Sequence, residues 1–381
     1  MVLSSYTFLL YATSFGVVDG FLKLGSMSGK GDQNRLYVGT ILSWGGLFVG
    51  GGSLIVMILI SEIYTAIDLV DSITVVGLCL SAFFFNALET FFRATQQFLV
   101  FAFMVFAKVS IATGLGCFFA VSDRPSLVLG AEVMAFFCVA LFFLLWGRAG
   151  KVDLRVGRES YGRFVHLVRH GLPLLLTNIA KKLIFVADRW VVVTLLGMAV
   201  LAKYSFIMLI YLGTVSLIGI LNAKIGPKIL SMLGKDGDLV GMRKRIYSVM
   251  LRAFFMLLPF FGIFTVTYPS FVAEFFPNYV DPILYSSAKY LMFGMIIFFL
   301  NSIFDWLLIG SDQGYGMFLV NLGTLLSGFV CYLIFAFLPE IGLHDFAVAF
   351  LGLRVLSLFL SIALFEFKFR HFSRVILTSQ G

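Results

Sequence analysis

Residues 285–309 read YSSAKYLMFGMIIFFLNSIFDWLLI. At 1.5 Å rise per residue a helix of this length crosses a hydrocarbon core, which takes about 20 residues. A lone strand could not do so, because its backbone groups would have no partners in lipid. Yet the stretch carries Asn301 and Asp305 near its end, four residues apart and therefore on one helix face. Inside a bilayer such polar groups persist only where they turn toward protein or a water-filled cavity. The stretch thus reads as a spanning helix with an inward polar face.

Comparable stretches follow one another along the chain. Eleven spanning segments are predicted, at 3–22, 37–60, 73–95, 98–120, 127–146, 172–196, 204–223, 247–267, 285–309, 317–338 and 346–367. The chain of 381 residues is 60% hydrophobic and 13% charged, with a mean hydropathy of +1.01. Soluble domains carry about 25% charged residues. A soluble fold of this size could not hide so much apolar surface, and no soluble domain fits in the connections. The four cysteines, Cys79, Cys117, Cys138 and Cys331, lie within apolar stretches and read as small buried hydrophobes. The formal charge of +8 comes mostly from basic residues in alternate loops, which argues against nucleic acid.

Those loops set the orientation. Residues 23–35, 148–169, 224–252 and the tail from Lys368 hold 19 of the 28 Lys and Arg residues. The opposite loops carry Arg124, Lys203 and Lys289 among acids such as Glu62, Asp123, Glu274, Asp281 and Asp345. The basic side, including the C-terminus, is expected in the cytoplasm. The basic stretch 151–170 is expected to link an N-terminal membrane lobe, 1–150, to a C-terminal one, 171–381. The halves echo one another: Phe83-Phe84-Phe85-Asn86 matches Phe298-Phe299-Leu300-Asn301. One residue further out of step, Glu89, Ala94-Thr95 and Gln96-Gln97 match Asp305, Gly310-Ser311 and Asp312-Gln313. Internal repeats are a common transporter plan.

Several motifs lead nowhere. Gly25-Ser26-Met27-Ser28-Gly29-Lys30 resembles a phosphate loop but is one residue short and has Gly31 where Ser or Thr is needed. No Walker sequence, nucleophile elbow or zinc-protease motif is present, so neither catalysis nor a cofactor is called for. His166 and His170 have a metal-compatible spacing but sit among Arg163 and Arg169 and read as a solvated basic face. Gly46 and Gly50, in a glycine-rich helix, allow tight packing or a hinge.

Charges inside the membrane are the functional signal, since each costs about 2.5–3.5 kcal/mol at the bilayer centre. On a helical wheel Asn178, Lys181, Lys182, Phe185, Asp188 and Arg189 share an arc of about 120°. Asn86, Glu89, Arg93, Gln96 and Gln97 share one of about 100°. Asp19, Lys108, Glu132 and Arg354 are single charges on other helices. These groups could pair off structurally. Three cations against one anion on the 172–196 face would alternatively suit an anionic substrate in a cavity. The candidate substrate-binding residues are therefore Lys181, Lys182, Arg189, Asp188, Asn178, Glu89, Arg93 and Asp305.

Gly171-Leu172-Pro173 through Asp188-Arg189, then Leu196-Gly197, Tyr204-Ser205 and Pro227-Lys228, resembles the central region of Wzx-like polysaccharide flippases. These belong to the multidrug/oligosaccharidyl-lipid/polysaccharide (MOP) exporter superfamily, an all-α membrane fold. The resemblance implies two lobes around a central cavity, opening alternately. It implies flipping of an undecaprenyl-pyrophosphate-linked oligosaccharide across the bacterial inner membrane for O-antigen or exopolysaccharide assembly. It also implies membrane lipids and the polysaccharide polymerase and chain-length machinery as partners. The first segment matches the second helix of that plan, so a first helix is expected to be missing. A multidrug or metabolite exporter of the same superfamily is the alternative. A membrane polymerase or ligase would need a larger outer loop than 268–284.

Overall fold

The structure is a computed structural model and describes residues 14–28, 31–63, 69–120, 125–146, 154, 156–236, 239–338 and 341–379. Among the described residues there is no strand. The helices are α1 (Val17–Ser28), α2 (Gly31–Thr40), α3 (Gly46–Ile63), α4 (Leu69–Ala94), α5 (Phe98–Ala120) and α6 (Pro125–Leu145). They continue with α7 (Arg158–Leu196), α8 (Met198–Asp236), α9 (Leu239–Phe275), α10 (Pro282–Gly310), α11 (Gly314–Phe335) and α12 (Leu343–Ser379). Seven described stretches are long and apolar enough to cross a membrane: one running through α2 and α3, and one each in α4, α5, α9, α10, α11 and α12. Leu129–Leu145 and Met198–Met208 are shorter apolar helices. Most of the expected first span, 3–22, lies outside the described residues.

The chain forms two compact units, Met1–Leu175 and Leu176–Gly381, with the division inside α7 just past Pro173. The basic stretch expected as a linker is only partly loop. From Arg158 onward it is helix, because Ser160, Phe164, Leu167, Gly171 and Leu174 form a buried stripe at helical spacing. Arg158 and Arg169 stay exposed on the other side. Residues 151–153 and 155 of that stretch lie outside the described residues. The expected outer loop 268–284 is likewise mostly helical, leaving a short 3-10 turn at Pro277–Tyr279 before Asp281 caps α10.

In the first unit α4 is the central helix and packs on α6, α3 and α1. A π-turn at Ile41–Gly45 joins α2 to α3 and delivers Gly45 and Gly46 against the rings of Phe83 and Phe84. These two glycines are therefore packing positions, whereas Gly50 makes only ordinary contact with Leu80. The α7 stripe docks on α1 through Gly16, Gly20 and Gly171, where a Cβ on Gly171 would run into the Gly16 carbonyl oxygen. Trp44 donates to Ser160 at 3.0 Å and Arg163 to Thr40 at 3.3 Å, closing the same corner.

In the second unit α10 takes the central place and packs on α12, α8 and α9. Gly226 of α8 lies under the indole of Trp306. Arg243 holds Glu366 with two parallel hydrogen bonds of 2.9 and 2.8 Å, and Tyr247 donates to the same carboxylate, tying α9 to α12.

Candidate functional site

The second unit gathers most of its polar groups around the last three turns of α10. Lys181 on α7 meets Asp305 at 2.5 Å, with side chains 18% and 7% exposed. Asn301, one turn earlier, donates to Ser357 of α12 at 3.0 Å, and Asn222 of α8 donates to Ser302 at 2.8 Å. One face of α10 thus holds polar groups of three neighbouring helices. Buried polar groups are expected to be satisfied, yet among the described residues Asn301 Oδ1 and Asp305 Oδ1 have no hydrogen-bond donor. Two such acceptors one turn apart are open to a hydrogen-bond donor. Among the described residues no three His, Cys, Asp or Glu side chains converge as metal ligands.

Two turns beyond Lys181 on α7, Asp188 is buried and accepts a hydrogen bond from the Tyr204 hydroxyl of α8 and one from the Arg189 backbone N–H at 2.8 Å. The buried guanidinium of Arg354 lies over the rings of Phe298 at 5.0 Å and Phe350 at 4.7 Å and acts electrostatically on Asp188. The burial of Asp188 is thus offset by a hydroxyl, a backbone donor and a cation.

The α7 face expected from the wheel divides in space. Lys181 is neutralised by Asp305 and Asp188 turns into the unit's interior. Lys182 is exposed, and Asn178 and Arg189 are half-buried. The Phe185 side chain lies outside the described residues. Tyr204, Asn222 and Ser302 were absent from the sequence-derived set. Tyr204 stood out only as part of the flippase resemblance, and hydroxyl and amide groups in an apolar helix give no signal without a known partner. Arg354 was visible as a lone charge.

The first unit has its own polar group. Glu89 and Arg93 pair along α4 at 3.4 Å, and Lys108 of α5 pairs with Glu132 of α6 at 4.0 Å. Lys108 also lies over the Phe136 ring at 4.4 Å and acts electrostatically on Glu89. Two cations and two carboxylates here balance across three helices.

No protein-family model and no curated protein matches the chain. Solved structures do match over nearly its whole length. A point mutant of a MATE transporter superposes with a TM-score of 0.75 at 14% identity, covering 98% of this chain and 87% of that one. An outward-facing multidrug resistance MATE family transporter of the MOP superfamily gives 0.70 at 13%, covering 98% and 88%. The MATE transporter ClbM in complex with Rb+ gives 0.67 at 15%, covering 96% and 85%. The fold is that of MATE transporters of the MOP superfamily. With its apolar helices, this makes the chain a multi-pass membrane protein.

Proposed function

We propose that this chain is a secondary exporter that moves small amphiphilic solutes, drugs or metabolites, across the cytoplasmic membrane of a bacterium. The observation that carries this reading is agreement with MATE transporters over 98% of the chain. The ion pair of Lys181 with Asp305 supports it as well. It removes one of the three cations on α7 that favoured a pyrophosphate, so the demand for an anionic substrate weakens. In this reading Asp305 and Asn301 bind the coupling proton or cation in competition with Lys181. Glu89 and Arg93 serve the first unit's half of the substrate path, and Asn178, Lys182, Asp188 and Arg189 that of the second.

Flipping of a lipid-linked oligosaccharide is the second reading. It is favoured by the pattern from Gly171-Leu172-Pro173 through Pro227-Lys228, by the exposed Lys182 and by the half-buried Arg189. Under it the polysaccharide polymerase and chain-length machinery would be partners. Two bacterial hosts separate the readings, one lacking its drug exporters and one lacking its O-antigen flippase. Exporter function predicts raised drug resistance in the first and no rescue in the second. Rescue of surface polysaccharide without drug resistance reverses the assignment.

A further inference from the structure

Among the described residues, α8 and α9 each pack on α10 rather than closely on one another, and a groove opens between the end of α8 and the beginning of α9. It encloses about 660 Å³, within the range of small-ligand sites. Lys228 from α8 and Lys244, Arg245 and Arg252 from α9 line it, together with apolar side chains such as Ile229 and Val249. The four cations are exposed, and among the described residues none of them is in an ion pair. Arg243, next in sequence, is by contrast held by Glu366.

The periodicity explains the lining. On α9, Arg245, Val249 and Arg252 follow one another at i, i+4 and i+7, so they form a stripe about 10 Å long parallel to the helix axis. On α8, Lys228 and Ile229 follow Gly226, whose own face is turned to Trp306. The groove therefore combines apolar side chains with a row of cations. The ladder begins where the apolar stretch Arg243–Phe275 begins and runs into it. A ladder at one end of an apolar stretch suits a lipid headgroup, with the apolar side chains placed for the first methylenes of a chain.

We propose that this groove is a binding site for an acidic phospholipid of the cytoplasmic leaflet, with the phosphate held by Arg245, Arg252 and Lys228. Basic pockets between spanning helices on the cytoplasmic side bind anionic headgroups for this electrostatic reason. Arginine adds bidentate phosphate contacts that an ammonium cannot make. A neutral solute has no use for four unpaired cations, and a zwitterionic headgroup brings its own ammonium against them.

Native mass spectrometry of the purified full chain tests this, with diphosphatidylglycerol and phosphatidylethanolamine added at equal concentration. Retention of the acidic lipid is expected to exceed that of the zwitterionic lipid about tenfold. Arg245→Gln with Arg252→Gln should bring the ratio near one. Arg158→Gln with Arg169→Gln, which removes the same charge from exposed positions of α7, should leave it unchanged. Equal retention of both lipids, or an unchanged ratio in the groove variant, overturns the proposal. So does displacement of the lipid by an equal concentration of inorganic pyrophosphate, which would make the groove a site for a soluble anion.

Discussion

The corner between α4 and α5 and the corner between α10 and α11 are built alike and wired differently. Both central helices bury 67% of their apolar stretch. Each ends in the same turn, with Gln96 at φ 59° and Asp312 at φ 60°. The Gln97 N–H returns to the Phe92 carbonyl and the Gln313 N–H to the Leu308 carbonyl, both at 2.8 Å. This is the 6→1 bond that closes a helix C-terminus. α4 packs on α6 as α10 packs on α12. The matched carboxylates, however, find different partners. Glu89 pairs with Arg93 on its own helix, while Asp305 reaches across to Lys181. The repeat preserves the scaffold, and function is free to differ in the charges it carries.

The sharpest way to break that comparison is to remove one cation from each side. Lys181→Met strands a buried Asp305 and should cost about 3–5 kcal/mol. Arg93→Met leaves Glu89 with Lys108 still nearby and should cost less, about 1–3 kcal/mol. Thermal unfolding of both variants in detergent measures the gap. The double variant Lys181→Met, Asp305→Leu should recover most of the stability and none of the transport. Equal losses from the two single variants would show that the asymmetry has no energetic content.

The next effect compares close approaches. Gly171→Ala places a methyl group against backbone, the Gly16 carbonyl, and should cost about 2–3 kcal/mol. Gly226→Ala meets the Trp306 ring, which can tilt, and should cost about 1–2 kcal/mol in the same unfolding assay.

The two turns allow a finer test. Asp tolerates the left-handed region better than Gln does. Gln96→Gly should therefore stabilise by about 0.5–1 kcal/mol, and Asp312→Gly by much less, read as shifts in unfolding midpoint. A larger gain at Asp312 would contradict the account of the turn.

The smallest effect is pH-dependent. Asp281 caps α10 and accepts a hydrogen bond from Lys203 at 2.7 Å, which holds its carboxyl below the usual range. A lowered folded value means the stabilisation is complete above an ordinary aspartate's pKa of about 4 and fades as pH falls through the lower folded value. The pair is partly exposed, so Asp281→Asn, which keeps the cap, should cost about 0.5 kcal/mol between pH 5 and 8. The difference from the natural chain should begin to narrow in unfolding curves taken below about pH 4 and close once the pH is beneath the lower folded value. A gap that persists there would place the stabilisation elsewhere.

The helical membrane fold was legible because solvent dictates it. With 60% apolar residues and most Lys and Arg in alternate loops, no soluble arrangement was open. The repeat was legible too, since Gln96-Gln97 and Asp312-Gln313 stand in step and form the same turn. The charges inside the spanning helices were legible, but not their pairing. A helical wheel gives direction without depth. Lys181 and Asp188 point almost the same way, yet they lie two turns apart, so one meets Asp305 on α10 and the other Tyr204 on α8. Lys182, at the far edge of the same arc, stays exposed. The helical course of residues 158–170 was hidden by their charge, which masked the buried stripe from Ser160 to Leu167.

The central claim is that Asp305, held by Lys181, works in solute export. Accumulation of a small amphiphilic dye in proteoliposomes under an imposed proton or sodium gradient tests it most directly, with Asp305→Asn measured beside the natural chain. The account predicts gradient-driven accumulation by the natural chain and none by Asp305→Asn, although the variant inserts and binds dye. Accumulation that is unchanged in Asp305→Asn, or that never responds to either gradient, would contradict it.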